Sequence, residues 1–346
     1  VRAGTGSTLG GSAYDCARLA GSSVTGQVAQ ERDPRPRLEV AGKRADRLIQ
    51  GTAHLSSLSL HDAVRLLNEV SGAGATTFDL AQNYGMGKSE ELFGQWLEQR
   101  GARDELFIIT KGGHPYGGRN RITRADVRED LLGSLERLNC DSVDLYLLHR
   151  DDESVPVASV MELLHELRQE GLVRGYGVSN WHFERIEAAN DYARAQAIAP
   201  LIASSPHFSL AAPEEEPWPG CVSIAGADAA AARDYYVRTG MPVLAWSSLA
   251  MGYFVTPEGD APVAAGLDEA VHVFQTQANS DRRERARELA TQLNLTTPQV
   301  ALLYVLSHPM NVHPLVGCRS GAEYRQLAEL ADRRLPAETV RWLENG

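Results

Sequence analysis

Short apolar runs alternate with stretches of helical length through most of this chain, and that alternation constrains the fold more than any other feature. The runs are RLIQGTA (47–53), TTFDLA (76–81), LFIITKG (106–112), SVDLYLLH (142–149), VRGYGVSN (173–180), APLIASS (199–205), PVLAWSS (242–248) and NVHPLVG (311–317). Each is apolar without strict alternation, the pattern of a strand buried on both faces. The helix starts between them are marked. Ser59-x-x-Asp62, Thr123-x-x-Asp126 and Ser320-x-x-Glu323 read as capping boxes or close variants, and Thr297-Pro298 as an N-cap followed by proline at the first helical position. Val127, Leu131, Leu135 and Leu138 recur on one face of the helix that starts near Thr123. Repeated strand–helix units over about 300 residues predict an α/β fold, a (β/α)8 TIM barrel with long loops at its C-terminal rim, ahead of a doubly wound open sheet.

Residues 1–45 stand outside this pattern. The Gly- and Ser-rich GTGSTLGGSAYDCARLAGSS leads through ERDPRPR, so this segment is expected to be a loosely structured extension or the remnant of a preceding domain, with the barrel over 46–346. Gly4-x-Gly6 lacks both the preceding strand and the spacing of a dinucleotide fingerprint.

Charge and cysteine usage exclude several classes. The chain carries 34 Lys and Arg against 45 Asp and Glu, a net charge of −11, and no basic run. Nucleic acid and anionic membrane are poor partners for such a surface. No apolar stretch approaches the roughly 20 residues that span a bilayer. Cys16, Cys140, Cys221 and Cys318 lie far apart without C-x-x-C spacing, which argues against a zinc site or a disulfide framework and suits a reducing cytoplasm, the expected location.

In a parallel barrel, functional side chains sit where strands end. The second apolar run ends at Asp79 with Tyr84 in the following loop, the third reaches Lys111, and the fourth ends at His149. A lone strand-end His or Asp is usually structural; four such groups at one rim form a coherent set. Tyrosine titrates near pKa ~10, too high for easy proton exchange at neutral pH. A neighbouring Lys111 ammonium is expected to lower that value, and Asp79 to keep Lys111 charged and fixed. His149 can hydrogen-bond a substrate carbonyl. None of the four donates electrons, so redox chemistry requires a cofactor.

These residues carry a resemblance. DLAQNYG, ITKGG, DLYLLHR and GYGVSNW resemble, in order, the D-x-A-x-x-Y-G, strand-end lysine, strand-end histidine and G-x-S-N segments of the aldo-keto reductases, over about Leu48 to Leu330. The resemblance implies the eight-stranded barrel, with Tyr84 as proton donor and Lys111, Asp79 and His149 completing a catalytic tetrad. It also implies a nicotinamide dinucleotide bound across the rim, NADP(H) favoured over NAD(H). Ser179, Asn180 and Ser205 would meet the carboxamide and Phe208 would stack on the nicotinamide. Ser247, Leu249 and Gly252 of WSSLAMG would cradle the pyrophosphate. Gly317, Arg319, Ser320, Glu323 and Gln326 of GCRSGAEYRQLAEL would flank the adenosine phosphate. Where the family frequently has a basic residue, this chain has Glu323, which disfavours a 2′-phosphate but suits a ribose hydroxyl.

Long loops follow the third, sixth and seventh runs and should set specificity. His114, Tyr116, Trp181, Trp218 and Tyr253 are candidate pocket walls; with Asn120 and Arg121 they suggest a polar, ring-shaped substrate such as a keto-sugar. The resulting expectation is NADPH-dependent reduction of a small aldehyde or ketone. The rival readings are a nicotinamide-binding, redox-sensing regulatory barrel with little turnover, and an epimerase using transient oxidation. LHRDD (148–152) is no kinase loop, because D-F-G and A-P-E are missing.

Overall fold

In the computed structural model, which describes residues 33–255 and 272–346, eight parallel strands close into a barrel. A short antiparallel hairpin precedes them, β1 (Glu39–Val40) with β2 (Lys43–Arg44). The barrel strands are β3 (Ile49–Gly51), β4 (Thr77–Asp79), β5 (Phe107–Gly112), β6 (Val143–Leu148), β7 (Val173–Ser179), β8 (Ser204–Ser205), β9 (Val243–Ala245) and β10 (Val312–Val316). They stand in chain order, and β10 pairs back on β3. Every one of the eight apolar runs holds a strand, and closure eliminates the open sheet.

Helices α1 (Leu60–Gly72), α2 (Lys88–Arg100), α3 (Arg124–Leu138), α4 (Val157–Gln169) and α5 (Phe183–Ala195) follow β3 to β7 in turn. After β8 comes α6 (Ala230–Thr239); α7 (Gln277–Leu293) and α8 (Thr297–Ser307) lie before β10, and α9 (Gly321–Ala328) and α10 (Ala337–Asn345) follow it. No helix among the described residues is long and apolar enough to cross a membrane. Ser59, Thr123 and Ser320 each accept the backbone N–H three residues on, as their spacing predicts. The cap of α8 is Thr296 rather than Thr297. Thr296 accepts from the Gln299 N–H while the Gln299 side chain accepts from the Thr296 N–H, and only Thr296 has a glutamine three residues ahead.

Strand alternation sorts the core into two layers. Ile49, Phe107, Ile109, Leu145, Leu147, Ala203, Leu244 and Leu315 fill the barrel interior. Phe78, Ile108, Tyr146, Leu148 and Val178 point outward and pack in the cluster shared with the helices. Leu38, Val40 and Ala45, on and beside the hairpin, pack against the interior cluster and stopper the barrel at the N-terminal end of its strands. His313 ties this stopper down, with Nδ1 donating to the Asp46 carbonyl at 2.8 Å and Nε2 accepting from the Leu38 N–H at 3.3 Å. Asp33 anchors the entering chain on Arg35, Arg47 and Arg334, so the packed part reaches back ahead of the expected boundary at 46. Residues 1–32 of the expected extension lie outside the described residues.

Candidate active site

Period-2 geometry explains why the charged strand ends share one space. Ile109 and Leu147 face the barrel interior, so Lys111 and His149, two residues further along, face it as well. Asp79 pairs in register with Ile109 of β5 and lies beside them. Beyond β4 the chain stays fastened to β5, through Leu80 N–H to Ile109 O at 2.8 Å and Gln82 N–H to Lys111 O at 2.9 Å. Tyr84 N–H then closes a turn on Ala81 O at 3.1 Å, which swings the phenol over Lys111. Gly85 lies against Ser56 with φ +60°, where any side chain would collide with the Ser56 Cβ.

The four groups converge. Lys111 Nζ donates to Asp79 Oδ2 at 2.6 Å, to the Leu80 carbonyl at 3.0 Å and to the Tyr84 hydroxyl at 3.0 Å. The Tyr84 hydroxyl lies 3.4 Å from the same Asp79 oxygen. The His149 ring stands edge-on to the Tyr84 ring, centroids 5.9 Å apart. Its backbone is held by His149 N–H to Gly112 O, and its carbonyl accepts from Asn180 Nδ2 at 3.2 Å and Arg150 Nη1 at 2.9 Å.

Electrostatics define the protonation states. Burial opposes the Lys111 ammonium, but Asp79 and then Tyr84 outweigh it and its pKa is raised. Burial pushes the Asp79 carboxyl up, against the pull of Lys111. Tyr84 differs from expectation. Burial raises its pKa, Lys111 opposes this, Asp79 adds to it, and the net shift is upward. Asp79 neutralises the ammonium at 2.6 Å, leaving little net positive charge to offset desolvation of the phenolate. His149 is held well below the usual histidine value by burial, then by the charges of Lys111 and Arg150, and is therefore neutral. Its Nδ1 is buried without a partner, which leaves Nε2 to meet a ligand.

The remaining expected site residues separate into two groups. His114 reaches the site, its ring T-shaped to His149 at 5.1 Å. Trp218 stands 6.3 Å from Trp246, at the end of β9. Ser179 and Asn180 end β7 at the same rim, and both are engaged: Ser179 Oγ donates to Ser205 O at 2.8 Å, and Asn180 Oδ1 accepts from Val222 N–H and from Trp246 Nε1, each at 3.1 Å. Ser205 Oγ donates to Leu244 O at 2.7 Å within the sheet.

Five of the residues singled out in the sequence have other partners in the fold. Ala203 faces inward, so Ser205 and His207 share that phase and Phe208 falls on the opposite one; it is fully buried against Tyr304 and His308 beside α8. Trp181 is buried as a strut, its Nε1 donating to Arg150 O with Arg185 over its ring. Tyr253 is buried against Phe254 and Phe274 beneath Arg283. Tyr116 sits in a small exposed turn paired with Arg119, and Arg121 is bound to Asp126, Glu129 and Asp130 at α3. Burial of aromatic rings near a rim is a tertiary property that residue type alone does not reveal.

Trp246 is the residue that the sequence reading passed over. It follows Leu244 by two positions, packs partly on the interior cluster and keeps part of its indole accessible. The same parity that located Lys111 and His149 points to it. Beyond it, Ser247, Ala250, Met251 and Gly252 all have positive φ, and Ser248 Oγ ties the loop to Leu315 O at 2.7 Å. Leu249 packs partly against the outer core within this loop. After β10, Gly317 and Arg319 are exposed, and Ser320 caps α9. The Glu323 carboxylate accepts the Arg319 backbone N–H at 2.8 Å, and Gln326 is exposed on α9 with its carbonyl bound by Gln299. Gly321 lets α9 approach α1, since a side chain there would strike the Glu69 carbonyl.

The rim fits a large polar ligand. Buried side-chain atoms without hydrogen-bond partners include Gln50 Oε1, His54 Nε2, Asp79 Oδ1 and Asn83 Oδ1, all at the ends of β3 and β4 or in the loops that follow. Native proteins leave few such atoms, and the four at this rim lie where a polar ligand could meet them.

Comparison with known proteins gives a consistent result. The model of the aldo/keto reductase family matches residues 47–345. The oxidoreductase YrpG of Bacillus subtilis is 28% identical over 88% of this chain and 93% of its own length. The aldo-keto reductase yakc [NADP(+)] of Schizosaccharomyces pombe is 27% identical over 73% of both chains. The crystal structure of an aldo/keto reductase from Klebsiella pneumoniae in complex with NADP and acetate superimposes with a TM-score of 0.66 over 90% of this chain and 94% of that one, at 22% identity.

Proposed function

This chain belongs to the aldo/keto reductase family and is an NAD(P)H-dependent oxidoreductase, and from that premise we propose that it reduces a small polar aldehyde or ketone with NADPH, using Tyr84 as general acid. The single observation that carries the reading is the hydrogen-bonded set Asp79–Lys111–Tyr84 with His149 beside it. A reduced nicotinamide, when bound, supplies hydride to the carbonyl carbon. The chain's own residues do the rest. His149, neutral, donates from Nε2 to the carbonyl oxygen and orients it. Tyr84, kept protonated by its environment, delivers a proton to that oxygen as negative charge develops. Lys111 stabilises the phenolate left behind, and Asp79 holds Lys111 in place.

Trp246 supplies the flat face for the nicotinamide that Phe208 was expected to provide, with its indole fixed by Asn180. The rim after β9 and the start of α9 would hold the phosphates: Arg319 is exposed there, and a helix N-terminus favours anions. Because Glu323 is bound to the Arg319 N–H, its carboxylate serves the helix start, which supports NADP(H) over NAD(H). A complete tetrad favours turnover over a purely regulatory barrel.

The deciding experiment is steady-state oxidation of NADPH with a panel of aldehydes, ketones and keto-sugars, for the wild type and Tyr84→Phe. Stoichiometric NADPH consumption is expected, falling by about 10²–10⁴ in the variant. Tight NADPH binding without turnover would defeat the reading, and so would an unchanged variant.

A further inference from the structure

Two imidazoles, not one, stand at the reaction site. His114 lies three residues beyond Lys111, and its ring meets His149 edge to face at 5.1 Å with an interplanar angle of 73°. Their tautomers are set by their surroundings. His114 Nδ1 lies 2.9 Å from the Pro115 carbonyl, which can only accept, so Nδ1 carries the proton and Nε2 presents a lone pair. His149 is the reverse: its Nδ1 is buried with no acceptor, and the proton belongs on Nε2. Burial outweighs the opposing Pro115 hydrogen bond and, with Arg150 adding to it, lowers the pKa of His114, so the lone pair persists at neutral pH.

We infer that His114 determines specificity: its Nε2 accepts a hydrogen bond from a hydroxyl on the carbon next to the carbonyl, so the enzyme takes α-hydroxy aldehydes and ketones in preference to their deoxy or O-methylated counterparts. This rests on the carbonyl-reductase reading above. The carbonyl oxygen is an acceptor and meets the His149 donor; the adjacent hydroxyl is a donor and meets the His114 acceptor. With centroids 5.1 Å apart, the two rings are close enough together to meet neighbouring carbons of one small substrate. A substrate without the hydroxyl strips water from Nε2 and puts no donor in its place, a loss worth roughly ten-fold in kcat/KM.

The test compares glycolaldehyde, methoxyacetaldehyde and propanal with NADPH, in the wild type and in His114→Phe. The readout is the ratio of kcat/KM values, which cancels any general damage from the substitution. The ether keeps the inductive effect of the oxygen but cannot donate. The wild type should favour glycolaldehyde over the ether by about ten-fold more than His114→Phe does. His114→Leu, which also removes the acceptor, serves if the Phe variant does not fold and should likewise lower the ratio. An ether reduced as well as the alcohol by the wild type overturns the inference, as does a ratio unmoved by either substitution. Turnover of propanal with such a ratio leaves the reductase reading standing. Failure to reduce any carbonyl compound of the wider panel removes that reading, and this inference with it.

Discussion

Lys111 lies 3.0 Å from the Tyr84 hydroxyl yet does not bring the phenol below its ordinary pKa, because burial raises that value and Asp79, 2.6 Å from the same ammonium, adds to the rise. The pair acts as an oriented dipole rather than a free charge. On the reading proposed above, reduction uses the phenol and alcohol oxidation the phenolate. The kcat for carbonyl reduction should therefore stay level through neutral pH, while oxidation of the product alcohol by NADP+ should climb toward pH ~10. Paired pH profiles check this, and an oxidation rate that levels off near neutrality would contradict it.

Asp79→Asn removes the charge that keeps Lys111 protonated. A buried ammonium without its anion loses its proton more readily, so the alkaline limb of the reduction profile should move to lower pH and kcat should fall by about 10². Wild-type kinetics in this variant would show that the carboxylate is dispensable.

Trp246→Ala removes the proposed face for the nicotinamide. The Kd for NADPH, followed by quenching of protein fluorescence at the remaining tryptophans, should rise about ten-fold, and Trp246→Phe should fall between the two because it keeps a ring but loses the Asn180 anchor. Phe208→Leu, in the outer layer, should leave that Kd unmoved.

Arg319→Ala tests the phosphate preference. The NADPH Kd should weaken by about ten-fold with little change for NADH, since only the former carries a 2′-phosphate for the guanidinium to meet. Equal losses for both would place Arg319 on the pyrophosphate instead.

Stability should depend on pH through buried histidines. Burial holds His207 and His313 at about 3, and His54 and His308 at about 4, against 6.5 in the unfolded chain. With folded values depressed, the unfolded chain binds more protons below 6.5. Their contribution is complete above that value and is lost as the pH falls through the folded ones. Urea midpoints should be constant above pH ~7 and decline steadily toward pH ~4. A flat midpoint across that interval would contradict the assignment.

Much of this was legible in the sequence. All eight runs became strands because parallel strands are apolar on both faces, and Asp79, Lys111 and His149 stood out as ionisable groups ending such runs. The losses have definite physical causes. The resemblance offers Phe208 as the stacking ring, and with only Ser204 and Ser205 in its strand the sequence holds too little pattern to show which face Phe208 takes. Trp181 and Tyr253 looked like pocket walls because an aromatic side chain reads the same whether its ring is buried or wet. The hairpin at Leu38–Ala45 was missed because two-residue strands carry too little pattern to show a period. The tautomer of His114 depends on a carbonyl one residue away whose direction only a fold can give.

That hairpin has a mechanistic side. Among the described residues, Leu38 and Val40 close the far end of the barrel, so the site is approached from the rim. On the reading proposed above, cofactor and carbonyl compound would then come and go by the same side, so whatever lies across the rim would control the approach to the tetrad.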